Sequence, residues 1–150
     1  MRAAQLVAAA LVCVLAAACG DGSGTFDYDL ELDVTGPPAR IGALQLEVTH
    51  LGDSGGFIGR GDKVDCVALV DAIAASNNPG ERVLKVGLIS LSGIATPAPI
   101  LRCGFRTSES LTPASFQVDV TDASLTNGEQ IDPPPTVVVG SIVRRDNESN

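Results

Sequence analysis

The feature that most constrains the fold is a strict alternation of apolar and acidic residues along residues 25–35. Successive side chains of a β-strand point to opposite faces, so this pattern predicts a strand with one buried and one solvated face. The apolar positions are Phe26, Tyr28, Leu30, Leu32 and Val34, and the acidic positions are Asp27, Asp29, Glu31 and Asp33.

Further segments predict strands because apolar residues alternate in them or form a short continuous run. They are residues 44–48, 83–91, 101–105, 116–120 and 136–143, separated by turns rich in Gly and Pro. The nearly continuous apolar run at residues 83–91 predicts a strand that is covered on both faces. Residues 67–75 are the only candidate for a short helix, which the Asn-Asn-Pro-Gly sequence after it would end. The fold class predicted is all-β: a single antiparallel β-sandwich, jelly-roll or immunoglobulin-like, with at most one short helix.

The N-terminus has the form of an export signal. Arg2 precedes the uncharged residues 6–18, which are fewer than the roughly 20 that a membrane-spanning helix needs. The junction Ala16-Ala17-Ala18-Cys19 and the Gly-rich residues after it resemble the lipobox of bacterial lipoproteins. The resemblance implies that residues 1–18 are a signal peptide, that Cys19 is lipidated, and that residues 19–24 form a tether. The alternative is an ordinary signal peptide cut after Ala18, which leaves Cys19 free.

A lipidated Cys19 places the domain in the cell envelope, because two or more acyl chains hold a protein stably on a membrane. Gly20, rather than Asp, follows the lipid-bearing residue. By resemblance to enterobacterial sorting, this favours the outer membrane over the inner membrane.

The cysteines of the remaining chain predict a disulfide. Cys13 leaves with the signal peptide and Cys19 takes the lipid, so only Cys66 and Cys103 remain. Two cysteines in an oxidising compartment usually pair. A zinc site is not expected, because no Cys-x-x-Cys is present and His50 is the only histidine.

Size and charge limit the partners. Residues 25–143 are enough for one domain, followed by a polar tail at residues 144–150. Without Arg2, nine basic residues face eighteen acidic ones, a formal charge of −9. Nucleic acid and anionic lipid attract cationic surfaces, so neither is expected as a partner. Four Phe, one Tyr and no Trp give few aromatic faces for binding sugars.

One short motif points to catalysis. Residues 52–56, Gly-Asp-Ser-Gly-Gly, resemble the nucleophile segment of chymotrypsin-like proteases. That family places its histidine far upstream, whereas His50 lies four residues before Ser54 and is expected at the surface or rim of a strand end. A flexible Gly-rich loop provides no rigid geometry for a serine and its base. We therefore expect no hydrolytic activity, with Ser54 dispensable, and a secreted hydrolase remains a remote alternative.

The acidic face of the first strand is a weak candidate for a cation site. Asp27, Asp29, Glu31 and Asp33 would lie about 6.5–7 Å apart along one face. Calcium takes about six to eight oxygens at 2.3–2.6 Å, more than a straight strand supplies. The alternative is a solvated face whose charge prevents edge-to-edge aggregation. Calcium is the one cofactor that this acidic face suggests.

The order of strands resembles the sandwich of bacterial cohesins and carbohydrate-binding modules. The resemblance is in the sequence IGALQLEV, a Gly-rich excursion, LKVGLIS, a Pro-containing turn, LRCGF and FQVDV. It implies a non-catalytic binding module whose partner is a dockerin-like protein or a polysaccharide. We therefore expect a cell-envelope lipoprotein carrying such a module. The alternative is a structural envelope lipoprotein with no discrete ligand.

Overall fold

The computed structural model describes residues 24–37 and 39–146, and within them the chain is a β-sandwich of two antiparallel sheets. The predicted signal peptide, lipidated Cys19 and most of the tether lie outside the described residues.

The first sheet contains the acidic strand. Its strands are β1 (Phe26–Thr35), β3 (Gly56–Phe57), β4 (Cys66–Ala68), β7 (Ala98–Thr107) and β9 (Thr136–Arg144). Their order is β3-β7-β1-β9, with β4 also pairing with β7. β1 therefore lies at the centre of the sheet, and strands far away in the sequence flank it on both sides.

The second sheet has the order β5-β6-β2-β8. Its strands are β2 (Arg40–His50), β5 (Ile73–Gly80), β6 (Val83–Ala95) and β8 (Phe116–Leu125). A short 3-10 turn, Pro113–Ser115, precedes β8. The chain runs from β4 in the first sheet through β5 and β6 in the second, and returns to the first sheet at β7.

The core lies between the two sheets, where their inward-facing residues form one apolar cluster. In β1, the predicted alternation is confirmed for residues 30–35. Leu30, Leu32 and Val34 are buried, and the residues between them are half-buried. The buried core includes Leu30, Leu32, Val34, Leu44, Leu46, Val48, Leu84, Val86, Leu88, Leu101, Cys103, Phe105, Val137 and Val139.

Residues 67–75, the one candidate for a short helix, contain no helix. The segment contains the end of β4, a short connection and the start of β5, and the Asn-Asn-Pro-Gly sequence lies inside β5. β5 has no buried residue, so no burial period marks it as a strand. Its conformation comes from backbone pairing with β6, from Ile73 opposite Ile89 to Asn77 opposite Lys85.

Candidate functional site

The predicted disulfide is present. Cys66 and Cys103 lie opposite each other on β4 and β7 and are bonded, with a Cα–Cα distance of 4.1 Å. Cys103 is fully buried and Cys66 is half-buried, as expected for a bond at the border of the core. The bond joins two strands of the first sheet and closes the loop that contains the β5–β6 hairpin of the second sheet.

Arginines neutralise most of the acidic face of β1. Arg106 makes a two-pronged ion pair with Asp27, at 2.6 and 2.8 Å, and Arg102 binds Glu31 at 3.2 Å. Arg145 lies just beyond β9 and binds Asp29 at 2.7 Å and Asp65 at 2.8 Å. The hydrogen bond from Arg106 is the main reason that the pKa of Asp27 lies below its usual value.

The fourth acidic residue of β1 has a different environment. One buried carboxylate oxygen of Asp33 has no hydrogen-bond partner among residues 24–37 and 39–146, and a Cβ at Gly140 would collide with this carboxylate. In the described part of the chain, no three His, Cys, Asp or Glu side chains are grouped as metal ligands. The weak calcium candidates therefore remain a prediction, and arginines already supply cations to three of the four.

The loop that contains Ser54 is anchored rather than free. The Ser54 hydroxyl donates to Glu109 at 2.7 Å, and the Ser54 backbone N–H donates to the same oxygen at 3.1 Å. These bonds are the main cause of the lowered pKa of Glu109. Neither ring nitrogen of His50 has a hydrogen-bond partner within the described segments. The geometry thus pairs Ser54 with a carboxylate and not with the histidine.

His50 is buried, which corrects the expectation that it lies at the surface or rim. It is 3% exposed and packs against Phe105 and Phe116, with ring centroids 4.8 and 5.1 Å away. Burial penalises the charged imidazole and lowers the pKa of His50, while the nearby Glu109 opposes this shift and Arg82 adds to it. His50 is therefore a neutral member of the aromatic core.

Mild acid is expected to destabilise the fold through His50. Its pKa is lower in the folded state, so the unfolded chain binds more protons as the pH falls. This contribution is complete above about pH 6.5, the ordinary histidine value, and is lost as the pH falls through the lowered pKa. Urea unfolding from about pH 7.5 to 5.5 should show this loss in the native protein and not in His50→Phe. An equal loss in both proteins would contradict the assignment.

The outward face of the second sheet is unexpectedly apolar. The sequence predicts that β6 is covered on both faces, and this is wrong for its outward face. Ile89 is 57% exposed, Leu91 is 96% exposed, and Ile73 on the neighbouring strand is 76% exposed. Contiguous exposed apolar residues on a soluble domain mark sites of interaction.

Ile73 and Ile89 line a concavity of about 620 Å³, which we call the trough, and Leu91 lies two residues beyond Ile89 on β6. Its floor runs across the strands through Ala75, Gly87 and Gln45, which are neighbours in the sheet register. A Cβ at Gly87 would meet no other atom within 4 Å, so the floor is open above this residue.

The two walls of the trough differ in chemistry. One wall is apolar and is the register row of Ile73, Ile89 and Ala43. The other is polar and is the row of Asn77, Lys85 and Glu47. Across the sheet, β8 continues the polar row with the exposed Asp119. The arrangement suits a ligand with one apolar side and one polar side.

Sequence reasoning missed this site. The available signal was the apolar run at residues 83–91, because an apolar outward face that the fold leaves exposed is available to a partner. The cover for the outward side is not supplied by any described part of the chain.

Comparison with protein-family models, with curated proteins and with solved structures gave no match to this chain. Within the described residues, no helix has the length and apolar character needed to cross a membrane.

Proposed function

We propose that the protein is a non-catalytic binding module of the cell envelope, anchored through a lipid on Cys19, and that the trough is its binding surface. One observation carries the proposal: Ile73 and Ile89 are exposed beside a floor that contains Ala75 and Gly87, and Leu91 is exposed two residues further along β6. Burying such side chains on a partner is favourable by about 25 cal/mol for each Å² of apolar surface removed from water.

The resemblance to cohesins and carbohydrate-binding modules agrees with a binding surface on one sheet face. It suggests a dockerin-like protein or a polysaccharide as the partner, and the apolar wall favours a protein. A structural lipoprotein without a ligand would need only a smooth polar surface, so the trough supports the binding module over this alternative.

The placement of Ser54 supports a non-catalytic role. A serine nucleophile needs a base that accepts its proton, and the hydroxyl of Ser54 donates to the weakly basic Glu109. We expect no labelling of the protein by a fluorophosphonate probe. Labelling that disappears in Ser54→Ala would favour the hydrolase alternative instead.

The lipid anchor is tested by Cys19→Ser. Without the thiol there is no site for the lipid, so the domain should move from the membrane fraction to the soluble fraction after cell lysis. Cys13→Ser is the matched control, because it changes a cysteine that leaves with the signal peptide, and this variant should stay with the membranes. A processed Cys19→Ser protein that remains in the membrane fraction would contradict lipidation.

The binding surface is tested in cells with a photo-reactive residue at Leu91. Leu91 is almost fully exposed next to the trough, and Val143 on β9 is an exposed apolar control on the other sheet. A photo-reactive residue at position 91 should give a cross-linked product with the partner, and one at position 143 should not. Equal cross-linking from both positions, or none from either, would contradict the proposed binding surface.

A further inference from the structure

We infer that the trough binds an extended, cationic segment of a partner protein in which apolar and basic residues alternate. This inference rests on the proposed function and names the chemistry of the partner. It follows from the floor, the walls and the charge of the trough.

The floor permits close approach of a backbone. Glycine within a strand often marks a place where a ligand or another backbone comes near, because no side chain occupies the space. Gly87 lies in the middle of β6 with ordinary backbone angles and open space above it, and Ala75 beside it adds only a methyl group. Gln45 continues the same row on β2 and offers an amide that can bond to a backbone passing over it.

The walls select the side chains. An extended chain presents alternate residues to opposite sides, so a segment lying along the floor points one set at each wall. Apolar side chains would pack against Ile73 and Ile89, which are exposed without such a contact. The opposite set would face the polar wall at Lys85 and Glu47.

The charge around the polar wall favours basic residues in the second set. Among the described residues, Lys85 is the only cation that lines the trough, and it already pairs with Glu47 at 3.5 Å. Asp62 also lines the trough, and Asp119 adjoins Glu47 in the register; neither forms an ion pair within the described structure. The chain as a whole has a formal charge of −8, so it attracts a cationic segment and repels a second copy of itself.

The test uses the full-length protein and a labelled peptide of about ten residues, the length of a long strand, in which leucine and lysine alternate. Fluorescence anisotropy should detect saturable binding that weakens as salt is added, because added ions screen the acidic residues at the polar wall. The corresponding leucine–glutamate peptide should bind at least about tenfold more weakly.

Gly87→Val supplies the decisive variant. Valine suits a strand, and the open space at Gly87 accepts it, so the fold should remain while the floor is filled. We expect an affinity at least about tenfold lower. Gly80→Val is the matched control at the end of β5, where a side chain also meets open space, and it should bind like the native protein. Replacement of both Glu47 and Asp119 by their amides should weaken binding and reduce its dependence on salt.

Equal binding to the native protein and Gly87→Val would overturn the inference, as would a preference for the leucine–glutamate peptide. A self-associated protein that Gly87→Val dissociates would assign the trough to a second copy and would also overturn it. If position 91 cross-links a partner in cells and the leucine–lysine peptide does not bind, the proposed function stands and only the partner's chemistry is wrong. If both experiments fail, the binding function fails with the inference.

Discussion

Replacing both Cys66 and Cys103 with alanine is expected to lower the free energy of unfolding by about 4 kcal/mol. The two cysteines are 37 residues apart in the sequence. In the chain-entropy model, a cross-link that closes a loop of this length reduces the entropy of the unfolded chain, and this stabilises the folded state by about 4 kcal/mol. This is a large fraction of the roughly 5–15 kcal/mol by which domains are usually stable. The loop contains β5 and β6, so the trough should become more mobile when the bond is lost.

Urea unfolding of the oxidised native protein, the reduced native protein and the double-alanine variant measures this effect. The reduced protein and the variant should unfold at similar, lower urea concentrations. Intact mass after alkylation shows whether the native protein has free thiols. Two alkylated thiols in oxidised protein, or equal unfolding midpoints for the native protein and the variant, would contradict a stabilising bond.

Phe105→Ala is expected to destabilise the domain by about 3–5 kcal/mol, the usual cost of truncating a buried aromatic residue. Phe105 is 0% exposed and lies at the centre of an aromatic cluster. Its ring meets those of Phe57 and Phe116 edge-on at 5.2 Å and lies 4.8 Å from His50. Removing the ring leaves a cavity between the two sheets that no neighbour is free to fill.

Phe26→Ala is the matched control for this prediction. Phe26 is half-buried at the start of β1, and its ring contacts the guanidinium of Arg144 at 3.6 Å. We expect its loss to cost roughly 1 kcal/mol, the scale of an exposed cation–π contact. Chemical unfolding of both variants provides the comparison. Similar losses in the free energy of unfolding for the two variants would contradict a dominant contribution of Phe105 to the stability of the core.

The sequence by itself determined the sandwich, most of its long strands and the disulfide. In β1, the alternation predicted which side chains face the core, because successive side chains of a strand point to opposite faces of the sheet. The cysteine pair followed by elimination, since the other two cysteines belong to the predicted signal and lipid site. Neither inference required knowledge of which strands would become neighbours.

Only the tertiary structure determined which side chains lie next to each other in the fold. The arginines that neutralise β1 are 71 to 116 residues away in the sequence, and only the register of β7 and the end of β9 bring them to the acids. β5 is a strand because β6 pairs with it, since its exposed residues follow no burial pattern. His50 is buried because the aromatic rings of two other strands surround it.

The trough shows the same limit most clearly. The apolar run in β6 predicted cover on both faces, because continuous apolar residues are typical of strands removed from water on both sides. Whether a second layer covers the outward face depends on the rest of the fold, and the described chain leaves Ile89 and Leu91 exposed. A periodic pattern predicts which side chains are suited to burial, whereas only the packed structure determines which of them stay exposed and available to a partner.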